Sequence, residues 1–349
     1  MLSKMVQQKE AIKGRSKLFD IMIMRAVATI MVVAFHVYGV MYANHFPAMR
    51  EKYYSMYYVL NQCILINIAM PLFIFVSGYL FIYLFQKQKY PTIGFLIKNK
   101  IKRLIIPYLF FGIIMMIYPN TLDIACLLSG TYAHLWFLPM LFWCFVLFYL
   151  LIIFFRNICL SHWCIIVLVV SFICSFYPYH YLPFPCMGLH YLEHWFCWFC
   201  MGGCVYVYKG YILNIMSKYK LLPLFLFVYL VIIYFFPRPY GKTIFWYNSL
   251  AQILMLISIW YICQKINWNS FKYINLVDRF NRYSFGVYIF HCWILPYLIS
   301  STSKRLFLLE KYAEYTILFP FVLFIVTLIL SYILTILLYK VRIGRFLIG

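Results

Sequence analysis

Carboxylates are almost missing from this chain. Eight Asp and Glu stand against 30 Lys and Arg in 349 residues, giving a formal net charge of +22, yet charged residues of both signs make up only 11%. The sequence also lacks an internal repeat, a low-complexity segment and any hydrophilic stretch long enough to fold as a soluble domain; its longest polar run is Gln86 to Arg103. A separate water-soluble domain is thereby excluded, and the missing repeat symmetry argues against the architecture of many secondary transporters. No small-residue cleavage signature follows the basic, polar start. Residues 1–17 are therefore expected to form a basic cytoplasmic tail before a retained anchor, not a signal peptide, with one membrane domain over 18–349.

What is present is apolar. Hydrophobic residues make up 66%, mean hydropathy is +0.87, and apolar stretches of about 20 residues recur from end to end. The stretches have helical length and are not ten-residue alternating segments, which excludes a β-barrel. The expected fold is an all-α polytopic membrane bundle of about ten transmembrane helices, at 21–42, 60–85, 104–119, 135–155, 163–177, 192–208, 221–236, 245–263, 284–300 and 316–339. With a cytoplasmic N-terminus, the inner segments carry 22 Lys and Arg and the outer loops 7, with Arg25 inside a span. That asymmetry predicts that both termini are cytoplasmic. Because the positive residues sit in short juxtamembrane segments, they serve topology and anionic headgroups, and no nucleic-acid partner is expected.

Twelve cysteines do not make a disulfide scaffold, since most fall in spans, where thiols behave as small apolar groups. His194, Cys197, Cys200 and Cys204 line one stripe of the sixth span and resemble a metal cue. Four successive ligands on one straight helix rise about 15 Å and cannot surround a tetrahedral ion, so no metal is expected.

Two ionisable residues, Arg25 and His36, interrupt the first apolar run. A charge inside a spanning helix costs roughly 2.5 kcal/mol or more, so such residues usually have a task. Eleven positions correspond to about 1,100° of rotation and a rise of about 16 Å, which puts both side chains on one helix face at different depths. The second cationic place is QKQKYPTIGFLIKNKIKRLIIPY before the third span. Lys100 and Arg103 would share a helix face and could grip a polyanion such as a nucleotide phosphate, or simply stop the chain at the membrane. Pro107 predicts a kink beside them.

Five blocks, FDIMIMRAVATIMVVAFH, MPLFIFVSGYLF, KIKRLIIPY, HLWFLPMLF and YSFGVYIFH, run in order over residues 19–291 and together resemble the membrane acyltransferase 3 family, which includes O-acetyltransferases of surface polysaccharide, lipopolysaccharide and peptidoglycan. The resemblance implies that Arg25 and His36 are catalytic and that the basic pair before the third span meets the acyl donor. The family usually has two arginines there; this chain has Lys100 and Arg103, keeping the charge and losing one planar fork.

The implied co-substrate is acyl-CoA, with acetyl-CoA expected, and no permanently bound cofactor. The acceptor is a hydroxyl of a cell-surface or envelope carbohydrate, and the location a bacterial-type inner membrane, in contact with lipid. His36 would act as general base or as an acyl-carrying nucleophile. Trp136, with Lys100 and Arg103, is taken as donor-binding, against the alternative of an interfacial belt that Trp136 and His134 would share. Asp123, Glu193, His194 and His291 are candidates for the acceptor pocket or for orienting its groups, with Glu193 the best-placed carboxylate partner for a histidine. A structural interhelical hydrogen bond is the alternative for His291. Ser77 and Gly78 are expected to permit close helix packing, and Asp20 to offset charge or stabilise a helix start. A transporter or flippase of a glycan or lipid-linked precursor is the competing class, favoured by the polar Asn61, Gln62 and Asn67 within a span.

Overall fold

In the computed structural model, residues 18–42, 55–117, 123–158, 160–176, 186–235, 246–309 and 317–348 are described; the expected tail, 1–17, lies outside them. Every regular element among the described residues is helical. A backbone in lipid must satisfy its own polar groups, and helices do so within one segment.

The α-helices are α1 (Phe19–Tyr42), α2 (Ser55–Val59), α3 (Ile66–Gln86), α4 (Ile93–Lys100), α5 (Ile106–Ile117), α6 (Ile124–Ser129), α7 (Phe137–Phe154), α8 (Leu160–Cys174), α9 (Leu192–Val207), α10 (Lys209–Lys218), α11 (Leu221–Phe235), α12 (Trp246–Lys265), α13 (Ile274–Leu309), α14 (Phe319–Lys340) and α15 (Arg342–Ile348). Each of the ten expected segments overlaps one of them. Among the described residues, four stretches are long and apolar enough to cross a membrane: Phe19–Gly39, Leu60–Gln86, Ile124–Phe154 and Phe319–Lys340. A fifth results if α9 and α10, bent by 81° at their junction, count as one crossing.

The bundle is centred on α3, which packs on α1, α9 and α12, while α13 joins α1 to α14. Small residues set the closest approach. A Cβ at Gly78 would lie 1.9 Å from the Phe199 carbonyl oxygen, and one at Gly202 would lie 1.9 Å from that of Phe75. The backbones of α3 and α9 therefore touch, which only glycine allows. This is the close packing expected at Gly78, with Gly202 as its unforeseen counterpart.

Three segments read as connections are helical: α4, α10 and the first turns of α13. A π turn, Ile101–Ile105, joins α4 to α5. Its cause is Pro107, which has no N–H for the Arg103 carbonyl, so the ladder widens just before it.

Candidate active site

Helix α1 carries Arg25 and His36 to two different surroundings. At Arg25 it lines a cavity of about 380 Å³, together with Lys100 and Arg103 from the α4–α5 junction and Arg282 from α13. The rest of the lining includes Ser77, Tyr90 and Asn281, aromatic and aliphatic side chains of α3 and α7, and Phe346 to Ile348 of α15. Four cations converge there and, among the described residues, no carboxylate lines the space. Lys100 Nζ lies 3.3 Å from the centroid of Phe145 and 5.5 Å from that of Tyr90. Burial, and after it the adjacent Arg103 guanidinium, pushes the Lys100 amine down to about 7. The Asn281 Oδ1 is buried without a hydrogen-bond partner among the described residues, so the cavity holds a spare acceptor beside its cations.

His36 meets two other imidazoles. Its ring centroid is 5.0 Å from that of His291 and 6.3 Å from that of His134, and His134 and His291 are 5.1 Å apart. His134 Nε2 lies 3.0 Å from the Ile289 carbonyl oxygen. Since a carbonyl only accepts, this nitrogen carries the proton, and the buried Nδ1 keeps its lone pair without a partner among the described residues. His291 Nδ1 likewise donates to the Val287 carbonyl at 3.3 Å, while its Nε2 accepts from the Cys292 thiol at 3.2 Å. Tyr288 Oη donates to the His134 carbonyl. The hydrogen-bond partners of His134 and His291 are thus carbonyls and a thiol, not a carboxylate.

Local backbone geometry presents His134. Gly130 ends α6 in the left-handed region at φ 79°, and the end of α6 is tied to the segment before α9, where Met187 N–H donates to the Leu128 carbonyl and Gly188 N–H to that of Ser129. Ala133, immediately before His134, has φ 42°, a conformation costly for a residue with a Cβ and typical of functional sites.

The two regions are one aromatic layer apart. Phe73 and Phe137 line the cavity, and both approach Tyr288, at 6.3 and 5.7 Å between centroids. Tyr288 in turn lies 5.5 Å from His134 and 5.9 Å from His291.

The remaining expected residues fall elsewhere. Trp136 is not in the cavity lining; it stacks with Tyr191 at 4.6 Å and Trp195 at 5.4 Å. Asp123 caps α6, accepting from Cys126 N–H at 3.0 Å, and hydrogen bonds from Cys126 hold its carboxyl below the usual range. Glu193 is half-buried in the first turn of α9. His194 is buried one residue further on, beside Trp195. Of the cysteine stripe, Cys204 donates to the Cys164 carbonyl on α8 at 3.0 Å. Asp20 accepts from Gln264 of α12, and Ser77 Oγ donates to the Phe73 carbonyl at 2.8 Å. Arg282, Asn281, Tyr288 and Cys292 were not anticipated, and His134 was anticipated as an interfacial aromatic or as a ring stacking on a sugar or lining the donor path, not as part of a histidine cluster.

Apolar helices and buried ionisable residues define a multi-pass membrane protein with a polar interior site. A family model described as an acyltransferase domain matches residues 19–339, nearly the whole chain. The protein belongs to the acyltransferase 3 family and is a membrane acyltransferase. No curated protein and no solved structure gives a significant match.

Proposed function

We propose that the protein is an O-acyltransferase that takes an acyl group, expected to be acetyl, from cytoplasmic acyl-CoA and transfers it to a hydroxyl of a cell-surface or envelope carbohydrate. The reading includes ten crossings with both termini on the cytoplasmic side of a bacterial-type inner membrane. The observation that carries it is the cavity of four cations set one aromatic layer from three histidines.

The cations suit the phosphates of CoA: Arg25, Arg103 and Arg282 offer planar donor forks and Lys100 a point charge. The pantetheine arm then runs along the apolar wall towards Phe73 and Phe137, delivering the thioester to His36. Two routes balance. In the first, His36 removes the acceptor hydroxyl proton, the oxygen attacks the thioester carbon, and CoA leaves as thiolate and takes the proton. In the second, the His36 nitrogen attacks first and expels CoA as thiolate, which takes the ring N–H proton; the acceptor hydroxyl then cleaves the resulting acyl-imidazole and its proton returns to His36. Either route needs a lone pair on His36. His134 and His291, tied to backbone carbonyls, would pack that ring in place, and the free Nδ1 of His134 would accept a hydrogen bond from the incoming hydroxyl.

The test is turnover of labelled acyl-CoA by purified protein in lipid, following free thiol and trapping any acyl-protein. Thiol release that requires His36 supports the reading, and label on the protein selects the second route. Intact thioester beside transported glycan precursor would overturn it in favour of a transporter.

A further inference from the structure

The histidine cluster contains a thiol that acyl transfer does not use. The ligand atoms of His36, His291 and Cys292 all lie within 4.8 Å of one another, and the Cys292 Sγ to His291 Nε2 distance is 3.2 Å. Zinc holds nitrogen at about 2.0–2.1 Å and sulfur at about 2.3 Å, so two ligands of one tetrahedral ion stand roughly 3.5 Å apart. The Cys292 and His291 pair is already at that separation, bridged by the thiol proton. Side-chain orientation also matches. Metal-bound histidines characteristically donate their second ring N–H to a carbonyl or carboxylate, and His291 Nδ1 does so to Val287. His134 repeats the pattern through Ile289, leaving a buried Nδ1 lone pair without a partner among the described residues. Its ring is 5.1 Å from that of His291 and 6.3 Å from that of His36. His36 and Cys292 are half-buried while His291 is fully enclosed.

We propose that His36, His291 and Cys292 form a binding site for one soft divalent transition-metal ion such as Zn2+, with His134 Nδ1 available as a fourth ligand, and that occupation inhibits the enzyme. On binding, the Cys292 thiol releases its proton to solvent and the thiolate and imidazole lone pairs bind the ion. Nitrogen and sulfur donors with no oxygen select Zn2+, Co2+ or copper over Mg2+ and Ca2+. The inhibitory half rests on the acyl-transfer reading: an ion on His36 takes the lone pair that a base or nucleophile needs. No metal was expected anywhere in the chain, and the α9 stripe was the cluster weighed for that expectation. This site joins α1 to α13, so spacing along the chain does not reveal it.

The test uses the full chain in lipid nanodiscs, stripped with a chelator and titrated with Co2+, then Zn2+. One Co2+ per chain is expected, with a thiolate-to-cobalt charge-transfer band that Zn2+ displaces. Cys292→Ser keeps an O–H donor for His291 Nε2, so its fold should survive while the band disappears and Zn2+ affinity falls at least tenfold. His36→Ala, at a half-buried position, should weaken Zn2+ binding by a similar factor. A band that persists in Cys292→Ser would put the ion on another thiol and overturn the proposal, as would the absence of binding to wild type. In the second arm, Zn2+ inhibition of thiol release is scored for each variant against its own metal-free rate. Bound Zn2+ without inhibition would overturn the inhibitory half. A Cys292-dependent band in a protein that never consumes acyl-CoA would uphold the metal site and count against the acyl-transfer reading.

Discussion

Helix α1 ends two unlike regions. Around Arg25 the neighbours are cations on long flexible stems, and Arg103 and Arg282 are exposed. Around His36 they are short, stiff imidazoles, and His134 and His291 are buried and pinned by backbone carbonyls. A region of flexible charges suits recognition of a large polyanion, where each contact adds affinity. A region of fixed rings suits work on a few atoms, where misplacement costs rate. On the proposed acyl-transfer reading, binding falls to the region around Arg25 and chemistry to the histidines, and substitutions should divide between KM and kcat accordingly.

The largest effect should come from His36→Ala. Loss of an acid–base or nucleophilic group lowers kcat by about 10²–10⁴-fold, and the donor KM should stay within about twofold because the cationic cavity is untouched. Steady-state kinetics on folded protein in lipid measures both. A tenfold rise in donor KM with unchanged kcat would break the comparison. Next come Arg103→Ala and Arg282→Ala. A hydrogen bond to a charged group is worth about 1.5–3 kcal/mol, so the KM for acyl-CoA should rise roughly 10- to 100-fold. An acyl-pantetheine lacking the nucleotide phosphates should be used equally well by wild type and both variants. Equal losses on the two donors would place these arginines outside phosphate recognition.

The two regions also differ in how much of them the sequence discloses. Arg25 and His36 stand out because a polar group in an apolar run is costly enough to need a reason. Lys100 and Arg103 could be paired because they are three apart, and the irregularity expected at Pro107 takes the form of a π turn over Ile101–Ile105. Arg282 looks like any basic residue of an inner segment, and only the packing of α13 on α1 brings it to the cavity. His134 is harder still: its ring bonds to a carbonyl 155 positions away, and the left-handed Ala133 that aims it has no marker in residue type. Apolar helices were legible throughout. The helices at polar segments were not, because α10 reads as a basic connection until the 81° bend shows it to be a separate helix.

The finest test of the comparison is Lys100, the cation of the Arg25 region that titrates near neutrality. Its amine is pushed down to about 7 by burial and then by Arg103, so the free enzyme loses this charge as pH rises through that value. A phosphate needs the protonated amine, and kcat/KM reports the free enzyme. Accordingly, kcat/KM for acyl-CoA should fall several-fold between about pH 6 and 8.5, through KM, with kcat following its own profile. Lys100→Arg keeps its charge at all these pH values, and this variant should flatten that fall while leaving kcat nearly unchanged. The phosphate-free donor should show no such fall in either protein. If Lys100→Arg retains the full decline, the titrating group belongs to the histidines, and the division between a binding region and a reacting region would have to be redrawn.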